Sequence, residues 1–316
     1  MSTTNNGLSG RVAIVTGAGG GLGAHYALLL ASKGVKVIVN DYGGSLDGVK
    51  GTSARAEEVV GQIRAAGGEA TANGSDISQQ EEVKELVAQA EALYGRVDIL
   101  VNNAGTSGQA SSHDDINVAS FRRTWEIACM GTAMLISTVW PLMEKQGYGR
   151  IVNTSSDSIY GFGGGGDGGY ASSKGAVYAL TRDLGRFSAQ YGIKINGVLP
   201  SAVSRMSDLS PIIKDITHRY FKTEEVATFV GALASEQCPV SGELFSVGGG
   251  RAARTTLATY PGHSCSTIEG YLEHFDKVMG DREDCFIPVD TLDQVSYAIK
   301  HATGTDIGRI KMDPAI

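Results

Sequence analysis

The run Arg11–Thr16 (RVAIVT), followed at once by Gly17–Gly23 (GAGGGLG), constrains this chain more than any other stretch. The first part is short, apolar and rich in β-branched residues, as a buried strand requires. The second places Gly17, Gly21 and Gly23 in the spacing T-G-x-x-x-G-x-G, ahead of the helical pattern HYALLLASKG. Glycines allow a tight turn and a close approach of backbone to a pyrophosphate. The helix start then offers free N–H groups and the positive end of a dipole. A strand, a glycine turn and a helix in this order predict a dinucleotide site lined by Gly17, Gly21, Leu22 and Gly23.

A second apolar run, Val35–Asn40, ends at Asp41. A carboxylate just past the second strand accepts hydrogen bonds from the ribose hydroxyls of an adenosine and repels a 2′-phosphate, which points to NAD. No arginine follows directly; the next is Arg55. The loop GGSLDGVKGTS is longer than such a unit needs.

Further along, strands and helices alternate. A helix is expected over 54–66, a strand over 69–74, and then Asp76 and Ile77 ahead of another helix. Asp76 is suited either to the adenine edge or to capping that helix. A fourth strand over 97–101 leads into Asn102–Gly105 (NNAG), whose small residues leave room for a flat ligand against Asn103, Ala104 and Gly105. A long helix is expected over 118–145, strands over 150–154 and 193–199, an irregular stretch over 201–222 suited to a substrate lid, then a helix over 223–234 and a strand over 243–247. This order implies an α/β fold, a Rossmann-like doubly wound parallel sheet of about seven strands with helices on both faces.

The chemistry is expected between Ser155 and Lys174 (SSDSIYGFGGGGDGGYASSK). Tyr170 and Lys174 are four apart, hence one turn apart on one helix face. A lysine cation beside a phenol favours the phenolate and lowers its pKa. Ser156 brings a hydroxyl to the same point, with Ser155 and Ser158 as alternatives. The three side chains suit proton transfer to or from a substrate hydroxyl or carbonyl.

Composition narrows the partners. The 316 residues suit one large domain or a domain with an appendage, and 42% hydrophobic content supports a full core. A formal charge of −7 without a basic block argues against nucleic acid. The four cysteines have neither disulfide-frame nor zinc spacing, so reduced thiols, a cytoplasmic location and no metal are expected. The apolar runs are too short to span a bilayer, so no membrane partner is expected.

Taken together, T-G-x-x-x-G-x-G at 16–23, N-N-A-G at 102–105, Ser156 and Y-x-x-x-K at 170–174 resemble the short-chain dehydrogenase/reductase family over about residues 8–250. The phrases VNDYGG at 39–44, YGRIVNTSS at 148–156, IYG at 159–161, SRM at 204–206 and GELFSVGGG at 242–250 are similar to the 3-hydroxyacyl-CoA dehydrogenase part of peroxisomal multifunctional enzymes and to bacterial 17β-hydroxysteroid dehydrogenases. The resemblance implies that Tyr170 is the general acid/base and that Ser156 orients the substrate oxygen. Lys174 then holds the nicotinamide ribose and lowers the tyrosine pKa, while Pro200 and Val203 fall where the family contacts the nicotinamide. It implies an NAD-dependent oxidoreductase on a fairly large apolar secondary alcohol, a hydroxysteroid or 3-hydroxyacyl thioester, assembled as a dimer or tetramer. A catalytically weak NAD-binding regulatory or structural subunit is the alternative.

Three positions depart from the family pattern. Ala128 (in ACMG) stands where the family has an asparagine that holds a relay water. The segment between Ser156 and Tyr170 is one residue longer than usual. Pro200 is followed by Ser201 instead of glycine. Residues 251–316 lie beyond the family's length and read as a helical extension packing on the same or a neighbouring subunit. Two helices are expected there, one with the apolar stripe Ile268, Tyr271, Leu272 and Phe275.

Overall fold

A computed structural model describes residues 6–109, 111–161, 166–209, 211–289 and 291–308. The extra residue expected in the glycine-rich segment falls at 162–165, outside the described residues. The chain forms two units, Met1–Arg254 and Thr255–Ile316.

In the first unit, β1 (Val12–Thr16), β2 (Lys36–Asn40), β3 (Ala70–Asn73), β4 (Ile99–Asn102), β5 (Gly149–Thr154), β6 (Ile193–Pro200), β7 (Leu244–Gly248) and β8 (Arg251–Thr255) form one sheet in the order β3-β2-β1-β4-β5-β6-β7-β8. The first seven pair in parallel, in register Ile14 with Ile38 and Leu100, and Val198 with Phe245. Every residue of β1, β4 and β5 is buried, because helices cover both faces.

One layer holds α1 (Gly21–Ser32), α2 (Ala54–Ala65) and α8 (Thr223–Ala234); their Leu30, Val60, Ile63 and Val230 pack on Val15, Val37 and Val39. The other holds α3 (Gln80–Tyr94) and the long helix that follows, where Leu86, Leu135, Val139 and Met143 pack on Ile14, Leu100 and Ile151. The sheet therefore turns over between β1 and β4, and the crevice beyond their carboxyl ends is the place such folds bind ligands.

Four details differ from the sequence reading. The sheet has eight strands rather than seven. β8 returns from β7 through Gly249 and Gly250, both at positive φ (60° and 73°), the conformation of a tight hairpin. Its sequence RAART is exposed for most of its length, so it carries no apolar period to read. The first unit accordingly runs to Arg254, not to Gly250.

The 118–146 helix is α4 (Val118–Trp125), a π-turn over Glu126–Met130, and α5 (Gly131–Gln146) without a break. Contrary to the sequence reading, it is long and apolar enough to cross a membrane by composition, with a window of mean hydropathy 1.3. Nearly half of that window is buried inside the fold, including Leu135, Ile136 and Val139. The length of the helix agrees with the expectation over 118–145; its apolar residues are spread among polar ones, so no continuous apolar run marks it.

The stretch after β6 is not wholly irregular. It contains α7 (Pro211–Tyr220), carrying Ile212, Ile213 and Ile216.

The second unit has three helices among its described residues, α9 (Ile268–Glu273), α10 (Phe275–Met279) and α11 (Thr291–Thr303), where two were expected. The first expected helix breaks at His274. Thr259 and Phe286 exchange two backbone hydrogen bonds, and Phe286 stacks on Tyr297 at 4.2 Å. Ile268 (75%), Leu272 (69%) and Phe275 (53%) are exposed.

Candidate active site

Two connected hollows lie along the carboxyl edge of the sheet in the first unit. One, of about 320 Å³, is lined by Gly17, Gly19–Leu22, Asp41, Ile77, Ala104 and the loop after β2. The other, of about 680 Å³, is lined by Ser156, Tyr170, Lys174, Pro200 and α7. Leu22, Asn103, Gly105, Ser204 and Met206 border both, so the two form one cleft.

The smaller hollow begins at the glycine turn. A Cβ on Gly17 would stand 2.8 Å from the Ala104 Cα, and Gly17 takes φ 61°, so glycine is required twice over. Asn103 Nδ2 donates to the carbonyls of Thr16 (3.0 Å) and Gly17 (3.2 Å), locking the turn to the end of β4. The start of α1 has no side-chain cap and no acidic residue in its first turn. A dinucleotide phosphate suits such a helix end, and the residues present fit a nicotinamide cofactor.

Asp41 lines this hollow and its two oxygens accept the N–H groups of Gly19 (2.8 Å) and Gly43 (2.7 Å). Arg55 lines the same hollow. Residues 42–53 form the loop between Asp41 and the start of α2, which carries Arg55, and the loop folds back. Thr106 and Ser107 donate to the Leu46 carbonyl, Arg123 Nε donates to the Gly48 carbonyl (3.2 Å), and Arg205 Nη1 donates to the Gly44 carbonyl (3.1 Å). None of these ties has a signal in the sequence, since each joins residues at least 60 apart.

Three expected cofactor residues are placed differently. Gly23 does not line the cleft. A Cβ there would meet the Gly17 carbonyl oxygen at 2.3 Å, so it lets α1 pack under the turn. The Asp76 carboxylate neither lines the cleft nor caps α3. It accepts from Ser78 and pairs with Arg123 at 2.7 Å, and its pKa is lowered because these bonds outweigh burial. Ser75 and Ile77 on either side form the wall instead. Val203 is likewise off the wall, between Ala202 and Ser204, which are on it. Its N–H donates to the Phe221 carbonyl (3.3 Å), and its carbonyl accepts from Thr223 (3.3 Å).

In the larger hollow the three expected reactive side chains meet. β5 ends at Thr154 and delivers Ser156. Tyr170 and Lys174 lie in the first turns of α6 (Gly169–Ser188). Of the candidate serines, Ser156 is the one hydrogen-bonded to the Tyr170 side chain. Ser155 is buried and donates to the Lys174 carbonyl (2.8 Å), and Ser158 points its amide, at 3.1 Å, to the Ser156 oxygen.

Lys174 is buried and its Nζ donates to the Thr154 carbonyl (2.8 Å). Burial pulls its pKa down to about 8. Burial also raises the Tyr170 pKa, and the Ser156 hydrogen bond only partly opposes this. The expected lowering of the phenol by Lys174 is not found in the protein alone. The amine is held by a backbone carbonyl, and is itself close to losing its charge.

Ala128 lies in the π-turn, buried at 2% exposure, and its carbonyl accepts from Thr132 (2.7 Å). Sequence reasoning also passed over Asp157, which lines the larger hollow directly after Ser156. Among the described residues, no group of three or more His, Cys, Asp or Glu side chains is placed to hold a metal ion.

Comparison with known proteins agrees with this geometry. Residues 11–211 match the family model described as short chain dehydrogenase. The chain is 38% identical over 250 residues to peroxisomal multifunctional enzyme type 2 of Drosophila melanogaster, across 78% of this chain and 40% of that longer protein. It is 33% identical over 260 residues to 7α-hydroxysteroid dehydrogenase of Escherichia coli, across 79% of this chain and 97% of that one. A solved 7α-hydroxysteroid dehydrogenase, complexed with NADH and 7-oxo glycochenodeoxycholic acid, superposes with a TM-score of 0.70 at 31% identity, covering 81% of this chain and 99% of that one.

Proposed function

The chain belongs to the short chain dehydrogenase family, and from that premise we propose that it interconverts a secondary alcohol and a ketone, with NAD, on a fairly large apolar substrate of the hydroxysteroid or 3-hydroxyacyl thioester class. As a member of the family it is an oxidoreductase acting on CH–OH groups and takes a nicotinamide cofactor.

One observation carries the reading: the Tyr170 side chain, hydrogen-bonded to Ser156 and one turn from Lys174, borders a cavity of about 680 Å³ that runs into the glycine-turn cleft. A bound nicotinamide cofactor would accept or give the hydride. The chain's own residues handle the proton and the position. Tyr170 takes the proton from the substrate hydroxyl in oxidation and returns it to the carbonyl oxygen in reduction. Ser156 hydrogen-bonds the same oxygen and sets its angle. Lys174 holds the cofactor ribose and stabilises the tyrosinate electrostatically once that site is filled. Leu209, Ile213, Ile216 and Phe221 supply the apolar wall that suits a large apolar body.

NAD is favoured over NADP because Asp41 is a fixed carboxylate in the adenosine half of the cleft. A homo-oligomer, dimer or tetramer, and a cytoplasmic location complete the proposal. The location rests on four cysteines without disulfide partners.

The test is an absorbance screen at 340 nm with NAD and NADP offered separately against hydroxysteroids, 3-hydroxyacyl-CoAs and simple alicyclic alcohols. Turnover with NAD on one large apolar class is expected. NAD binding without turnover of any class overturns the enzymatic reading in favour of a binding subunit.

A further inference from the structure

The loop between β2 and α2 is pinned by donors from three other parts of the first unit. Its tip is a turn, in which the Ser45 N–H donates to the Val49 carbonyl (3.0 Å) and the Gly48 N–H to the Ser45 carbonyl (3.0 Å). Around this turn the carbonyls of Gly44, Leu46 and Gly48 accept from Arg205 after β6, Thr106 after β4 and Arg123 on α4. Tyr42, Gly44, Ser45 and Leu46 line the smaller hollow, and so do Ser204, Arg205 and Met206. The Arg205–Gly44 bond (3.1 Å) therefore joins two walls of that hollow which lie 161 residues apart in the chain.

The three ties are unequal. Thr106 is buried. Arg123 is half-buried, pairs with Asp76 at 2.7 Å, and lies 5.9 Å from the centre of the Tyr42 ring. Arg205 is exposed, so water competes for its bond to Gly44, and this tie opens before the other two. Ser204 and Met206, on either side of Arg205, border both hollows, so the tie sits where the two halves of the cleft meet.

We propose that Arg205 is a latch on the cofactor hollow: its bond to the Gly44 carbonyl holds the loop after β2 against the segment after β6, and the cofactor enters and leaves when that bond opens. Arg205 is a positioning residue, acting through the loop and not by touching the cofactor. The bond exists in the protein alone, so opening has to break it whether the hollow is filled or empty. Removing it lowers the barrier to entry and to exit alike and leaves the affinity where it was. A guanidinium that attracted the cofactor's phosphates would behave in the opposite way, since its loss would slow entry and weaken binding.

This inference rests on the nicotinamide site, and the experiment separates the two. NADH association and dissociation are followed by stopped-flow fluorescence in wild type, in Arg205→Met, which keeps an apolar stem without donors, and in Arg205→Lys, which keeps a donor. Hydrogen exchange over residues 42–53 is measured on the same proteins without cofactor. In Arg205→Met both rate constants should rise together by roughly two- to tenfold, the effect of losing one exposed hydrogen bond, with Kd unchanged. Exchange over 42–53 should quicken while β1 and α5 exchange as in wild type. Arg205→Lys should fall between the two. Slower association with a weaker Kd in Arg205→Met overturns the latch in favour of a direct contact with the cofactor. Unchanged rate constants, unchanged exchange over 42–53, or faster exchange across the whole first unit overturn it as well. A wild type that does not bind NADH overturns the NAD reading and this inference with it.

Discussion

The Lys174 Nζ lies 5.8 Å from the centre of the Tyr170 ring, one turn along the same helix; the amine is buried and the tyrosine half-buried at the edge of the larger hollow. The amine is held by the Thr154 carbonyl and not by the phenol. In the protein alone, desolvation governs both groups: it raises the phenol's pKa and lowers the amine's. Activation of Tyr170 therefore belongs to the filled site, where water is excluded and the cofactor's charge is added.

Replacing Tyr170 with phenylalanine removes the proton carrier and leaves the ring's packing. Turnover should fall by roughly 10²–10⁴-fold, the usual worth of a positioned acid/base. Cofactor affinity, read by quenching of protein fluorescence on NADH binding, should stay within a few fold. A variant that retains its turnover would show that another group moves the proton.

Burial of Lys174 predicts a pH-dependent stability. Its pKa is about 8 folded, against 10.5 for a free lysine. Below pH 8 it is protonated in both states, and the folded chain bears the full penalty of a desolvated charge. Between pH 8 and 10.5 only the unfolded chain keeps the extra proton, so the penalty fades as pH rises. Lys174→Met should therefore be more stable than wild type at pH 7 by up to about 3 kcal/mol, with the difference shrinking toward pH 10.5. Urea unfolding of both proteins at three pH values measures this. A difference that does not change with pH would show that Lys174 is not desolvated.

Asp41 and Arg55 both line the smaller hollow. Removing the carboxylate leaves the arginine as the local charge. Asp41→Asn should raise kcat/KM with NADP relative to NAD by at least about tenfold, the effect of a charge change worth about 1.4 kcal/mol. The double variant with Arg55→Ala should lose most of that gain. If the cofactor ratio is unmoved in Asp41→Asn, the selector lies elsewhere.

Ala128 is buried in the π-turn, where the family pattern has asparagine. If protons leave by another route, through backbone and water, Ala128→Asn should turn over at a similar or higher rate than wild type. Thermal melts distinguish misfolding, since the added amide has to find room in a packed position. A folded variant with a loss beyond about tenfold, more than 1.4 kcal/mol in the barrier, would mean that the space at Ala128 serves the substrate.

The sequence alone determined the elements whose physics is local. Val12–Thr16 reads as a buried strand because it is short, largely apolar and rich in β-branched residues. The glycine spacing after it must be a turn into a helix, and Tyr170 and Lys174 must share a face because helix geometry fixes residues four apart. β8 escaped because an exposed edge strand has no hydrophobic period, and α7 because its isoleucines sit in a short, exposed helix. Tertiary structure alone decided which polar groups face the cleft. Asp76 was drawn away by Arg123, 47 residues distant, and Arg55 was brought back to Asp41 by the fold of a loop. Such contacts depend on where strands end in space, and spacing along the chain carries no record of that.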